Sequence, residues 1–75
     1  MEEGSKMWIL IHTLIHTGGS SDSNALTTPT TLEECQGYLL RYSVDLIKNA
    51  EYISSEVIQG TFPGGIIVNA CVPML

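Results

Sequence analysis

Met7-Trp-Ile-Leu-Ile-His-Thr-Leu-Ile-His-Thr17 is the stretch whose reading decides the fold. Alternate side chains of a β-strand point to opposite faces. One face of this segment carries Met7, Ile9, Ile11, Thr13 and Ile15, and the other Trp8, Leu10, His12, Leu14 and His16. A strand with one wet side alternates apolar with polar residues, and this one is apolar on both. The chain's own helix can cover one face. The second face calls for another subunit or another partner.

Composition points the same way. A chain of 75 residues makes a single domain, 1–75, close to the size at which one core is only just sufficient. It is 44% hydrophobic and only 15% charged, whereas a small monomer has proportionally more surface to cover with polar groups. Eight acids against three bases (Lys6, Arg41 and Lys48) give a net charge of −5, which disfavours a nucleic-acid polymer or an anionic membrane as partner. The apolar run falls short of the roughly 20 residues that span a bilayer. The Met1-Glu-Glu-Gly-Ser-Lys6 lead is acidic where a signal peptide would be basic. The chain therefore reads as cytoplasmic, with residues 1–6 as a disordered lead. Cys35 and Cys71, far apart and without Cys-x-x-Cys spacing, read as two buried thiols. A disulfide between helix and last strand is conceivable but requires an oxidising compartment.

Along the chain, the first strand stops at Gly18-Gly19, and residues 18–30 read as a long loop of turn formers. Thr31 and Glu34 form a Thr-x-x-Glu capping box that starts a helix running to about Asn49. Leu32, Cys35, Leu39, Tyr42, Leu46 and Ala50 make its sheet-facing stripe. Leu40, Val44 and Ile47 make a second stripe, rotated by roughly 130°, to be covered by the long loop or by another subunit. Tyr52 to Gln59 reads as a more polar edge strand, Gly60 to Gly65 as a turn, and Ile66 to Val72 as a buried strand ended by Pro73. The expected fold is α+β, β-α-β-β: a small three-stranded mixed sheet with the first two strands parallel and one helix on one face. The other face is left for oligomerisation.

Chemistry is sparsely written. His12 and His16 lie about 13 Å apart along a strand, too far to share one metal ion, and no other residues show ligand spacing. The serines sit in no nucleophile elbow, and Glu33 and Glu34 are accounted for by capping, so neither catalysis nor a cofactor is expected. Trp8, His12 and His16 could wall a ligand pocket or belong to an interface. Gly18 and Gly19, like Phe62 with Gly64 and Gly65, could approach a ligand through backbone amides or be plain turns. Arg41 is one of the few cations for a phosphate.

The opening Met-Trp-Ile-Leu-Ile, the polar Gly-Gly loop, the Thr-Leu-Glu-Glu-Cys helix entry and the closing Asn-Ala-Cys-Val-Pro resemble a loose class of short bacteriophage-encoded proteins. The likeness covers residues 7–19, 31–40 and 66–73, and the six-residue lead departs from it. The resemblance implies an accessory role in the host cell and assigns no residue a role. The resulting expectation is a non-enzymatic, homo-oligomeric anti-defence protein. It would bind and sequester a small nucleotide-type signal through Trp8, His12, His16, Gly18, Gly19, Arg41, Phe62, Gly64 and Gly65, with Leu40, Val44 and Ile47 as interface. The alternatives are a protein-binding inhibitor of host defence and a structural virion component.

Overall fold

The computed structural model describes residues 6–74, apart from the side chain of Leu46. The expected disordered lead, 1–6, falls largely outside that span, as does the Leu46 side chain assigned to the sheet-facing stripe. Six elements follow one another: β1 (Met7–His16), β2 (Ser21–Ala25), α1 (Leu32–Leu46), β3 (Glu51–Ser54), β4 (Val57–Phe62) and β5 (Gly65–Met74). The strands form one sheet in the order β2-β1-β5-β4-β3, and every neighbouring pair is antiparallel.

This corrects the expected three-stranded mixed sheet. The fold remains α+β, but two strands were hidden. Residues 18–30, expected as loop, contain β2, which folds back on β1 with Leu14 opposite Asp22 and Ile11 opposite Ala25. The expected strand from Tyr52 to Gln59 is a hairpin, with Tyr52 opposite Ile58 and Ser54 opposite Val57. The helix thus carries the chain to the far edge of the sheet, and no parallel pair arises. β5 then inserts between β4 and β1.

Pro73 does not end β5. It lies opposite Trp8, and the Trp8 backbone is already engaged on its other side: Trp8 N–H donates to the Thr30 carbonyl (2.7 Å) and accepts from Thr30 N–H through its own carbonyl (2.8 Å). At this position no ladder bond is asked of residue 73, so its missing N–H costs nothing.

The helix begins as expected. Thr31 Oγ1 accepts from Glu34 N–H (3.2 Å), and Glu33 and Glu34 occupy the first turn, where the helix dipole favours acids. α1 covers the face of β1 that carries Trp8, Leu10, His12, Leu14 and His16. Leu10, Cys35, Leu39, Ile47, Ile58, Ile67 and Cys71 are buried there, with Trp8, Leu14, Leu26, Leu32, Tyr42, Ala50 and Phe62 packed around them. Ile47, expected at an interface, is a core residue. It caps the helix and sits on Gly60, where a Cβ would come within 1.9 Å of Ile47 Cγ2. Gly65, at φ +152°, brings β5 so close to β1 that a Cβ would lie 2.0 Å from the Ile15 carbonyl oxygen.

The cysteines are also corrected. Cys35 in α1 and Cys71 in β5 are joined in a disulfide, with Cα atoms 6.1 Å apart, instead of standing as two thiols. Both belong to the core stripe, and register places Cys71 opposite Leu10, directly beneath the helix.

Among the described residues, nothing covers the other face of the sheet. Met7, Ile9, Ile11, Thr13 and Ile15 of β1 stand opposite Met74, Val72, Ala70, Val68 and Ile66 of β5. Met7, Ile15, Ile66, Val72 and Met74 are each exposed by roughly two fifths. No helix among the described residues is long and apolar enough to cross a membrane.

Candidate functional site

β1 threads the middle of the expected site, and each of its polar residues has a different fate. His12 lies opposite Asn69 in the helix-covered layer. Its Nδ1 is 2.7 Å from Asn69 Oδ1, and because that oxygen only accepts, His12 donates. Asn69 Nδ2 donates in turn to Ser43 Oγ of α1 (3.2 Å). Asn69 and Ser43 are fully buried. The three residues form a polar chain that links sheet to helix through the core, and no buried side-chain nitrogen or oxygen among the described residues lacks a partner. His12 is thereby a structural group.

His16 lies two strand repeats further on, about 13 Å along β1. Its Nε2 is 3.1 Å from Asp22 Oδ2 of β2, and its ring stands edge-on to Phe62 at 5.9 Å between centroids. The two glycine turns meet at this end of the sheet, where Thr17 N–H donates to the Gly64 carbonyl (2.9 Å). His16, Gly18, Gly19, Phe62, Gly64 and Gly65 are therefore brought together. Trp8 is not among them. It lies about 26 Å away along β1, at the opposite end of the strand, half-buried, with Lys6 Nζ 6.0 Å from its ring centroid. Arg41 is exposed on the outer side of α1, its guanidinium 5.9 Å from the Tyr38 ring. A single pocket walled by Trp8, His12, His16 and Arg41 is not what this fold builds.

No family model, curated protein or solved structure matches this chain.

That geometry offers two kinds of surface. One is a groove of about 470 Å³ beside the glycine turns, lined by Lys48, Asn49, Thr61, Phe62 and Pro63. It combines a cation, an amide that donates to the Thr61 hydroxyl (3.4 Å) and an aromatic ring. The other is the apolar open face of the sheet. Of the expected interface residues, Leu40 and Val44 are 50% and 70% exposed, so the segment 18–30 does not cover them. The His16–Asp22 pair has no serine, threonine or cysteine bonded to the other ring nitrogen, so it forms no nucleophile triad among the described hydrogen bonds. No three His, Cys, Asp or Glu side chains gather among the described residues.

Sequence reasoning missed Asn69, Ser43 and the Lys48–Asn49 groove. For the first two a signal existed. An Asn inside Ile66-Ile-Val-Asn-Ala-Cys-Val72, and a Ser four residues beyond Leu39 on the helix stripe, are polar residues at positions that must be buried. The groove joins residues after α1 to the end of β4, and no local pattern announces it.

Proposed function

We propose that this chain is a non-enzymatic protein-binding module whose working unit is a pair of copies stacked through the open sheet face. The observation that supports this best is the absence of charge on a large apolar surface. β1, β4 and β5 contain no charged residue, although the whole chain carries −5. Two copies can therefore stack without burying an unpaired charge, which would cost several kcal/mol. Strands of ten residues, some 33 Å long, with their flanking neighbours present a footprint of roughly 600 Å² per copy, or about 1,200 Å² in all. That meets the lower end of what stable interfaces bury. Two antiparallel sheets packed in this way form a sandwich about 10 Å thick in its core.

Within this reading, the phage-like outline makes the pair an accessory protein directed at a host protein. Disulfides persist in oxidising compartments, so the bond between Cys35 and Cys71 favours such a setting over the cytoplasm. Light scattering at micromolar concentration is expected to give twice 8.2 kDa. Ile11→Lys, at the centre of the open face, is expected to reduce this to the monomer mass, whereas Val44→Asp, on the helix, is expected to leave the pair intact. A monomeric wild type, or a pair broken only by Val44→Asp, would refute the stacking.

A second reading, sequestration of a small anionic or nucleotide-like ligand, is favoured by the groove at Lys48 and Phe62. Its volume lies in the range of small-molecule sites. An aromatic ring stacked on a base contributes roughly 1–3 kcal/mol. Calorimetry against cyclic dinucleotides, cyclic oligonucleotides and ADP-ribose derivatives tests it. Phe62→Ala is then expected to weaken binding by about tenfold or more, while Trp8→Ala leaves it unchanged. Silence across that panel would remove this reading.

A further inference from the structure

A further surface, independent of the open face, lies where α1 stops short of the sheet edge. The helix packs on β1, β5 and β4 and leaves β3 uncovered. Among the described residues β3 is an edge strand, hydrogen-bonded to β4 on one side and to no strand on the other. Between it and the helix runs a groove of about 240 Å³, floored by Leu39 and Ile58 and flanked by Leu40, Tyr52 and Ser54. Its apolar flanks are open: Leu40 is 50% and Tyr52 61% exposed. Proteins commonly protect such edges with positive charge, proline or cover. β3 (Glu-Tyr-Ile-Ser) has none of these, although the register shift between Tyr52 and Ser54 shortens the usable edge.

The charges around this edge are of one sign. Glu51 begins β3 on its open-face side, opposite Gln59, Glu56 follows the turn after β3, and Glu33 lies on the Leu40 side of the helix, two turns earlier. The described cations stand elsewhere: Lys6 by Trp8, Arg41 over Tyr38, and Lys48 in the groove at Phe62. A second copy of this acidic chain is thus a poor occupant. We propose that β3 and the adjoining groove form a docking site for an extended basic and apolar segment of another protein, added as a sixth strand. Its main chain bonds to the free edge of β3. An apolar side chain enters the groove over Leu39 and Ile58, and flanking Lys or Arg residues face the three glutamates. Backbone pairing supplies affinity and the groove supplies selection, as in other strand-addition sites. Because the usable edge is short, salt-sensitive micromolar affinity is expected.

The test uses the full, oxidised chain, labelled for amide NMR, and three capped synthetic octapeptides. One alternates Lys with Val, one replaces every Lys by Glu, and one carries N-methyl groups on alternate amides of the Lys-Val sequence. The Lys-Val peptide is expected to shift the amides of Glu51 to Ser54 and of Leu40 and Val44. The acidic and N-methylated peptides should bind at least about tenfold more weakly. Leu40→Ser, at a half-exposed site, is expected to keep the fold and weaken the Lys-Val peptide by about tenfold. The proposal is overturned if the Lys-Val peptide leaves β3 unshifted or if the acidic peptide binds equally well. It is equally overturned if the shifts map to the open face or if peptide-free samples show β3 shifts that grow with protein concentration. That last result would make a second copy the occupant.

Discussion

Replacing Cys35 or Cys71 with Ser is expected to lower the unfolding free energy by about 4 kcal/mol, the loop-entropy value for a crosslink spanning 36 positions. A domain of this size holds only about 4–11 kcal/mol in total, so losing the bond removes between about a third and all of its stability. The core explains this dependence. Seven hydrophobic residues are buried among those described, and two of them are the bonded cysteines. The crosslink joins the N-terminal part of α1 to β5 and adds a covalent tie to the helix–sheet packing. Urea titration with and without a phosphine reductant measures the effect. Coincident curves would show that packing alone holds the helix.

Asn69→Ala is expected to cost about 3 kcal/mol or more. The substitution leaves the Ser43 hydroxyl and the His12 Nδ1 proton without their partner and opens a small cavity, and a buried polar group left unpaired costs about 1–3 kcal/mol. Removing both ends of the inner bond with Ser43→Ala and Asn69→Leu is expected to recover the part of the loss that comes from the unpaired Ser43 hydroxyl and the cavity, because replacing a bonded polar pair by apolar groups is often nearly neutral, while His12 Nδ1 stays without its partner. Chemical denaturation of the two variants beside wild type gives the comparison. If the double variant is as unstable as the single one, the cost lies in shape, not in unpaired polarity.

The parts legible in the sequence were those written in local chemistry. The Thr31–Glu34 cap and the Leu32, Cys35, Leu39 stripe give the start and inner face of α1, and the double-sided apolar run gives β1. What escaped was set by tertiary pairing. Ser-Asp-Ser-Asn-Ala has no apolar period, and becomes a strand only because β1 supplies the ladder, through contacts such as Thr13 Oγ1 to Ser23 Oγ at 2.9 Å. Ser54-Ser55-Glu56 reads as strand by continuity, yet the chain turns there, with Glu56 N–H donating to Ser54 Oγ (3.1 Å). Pro73 seemed a terminator because its neighbour's hydrogen bonds to Thr30 are invisible in one dimension. Of the expected site, the two glycine turns do converge beside His16 and Phe62. The three ring-bearing residues of β1 do not, since one strand of ten residues spreads them over the length of the sheet.

The central ladder joins β1 to β5, the first and last elements of the chain. Everything between them, three strands and the helix, must be synthesised before the middle of the sheet can close, and the bond to Cys71 must wait as well. Domains whose decisive pairings are so distant in sequence fold slowly, over milliseconds to seconds, because loop closure precedes any reward from contact. A nascent copy can therefore pair β1 with β2 alone, and the β1 edge that meets β5 stays open until β5 emerges. The time at greatest risk for this fold, from a chaperone, a protease or another unfinished copy, is the interval between the making of β1 and the arrival of β5.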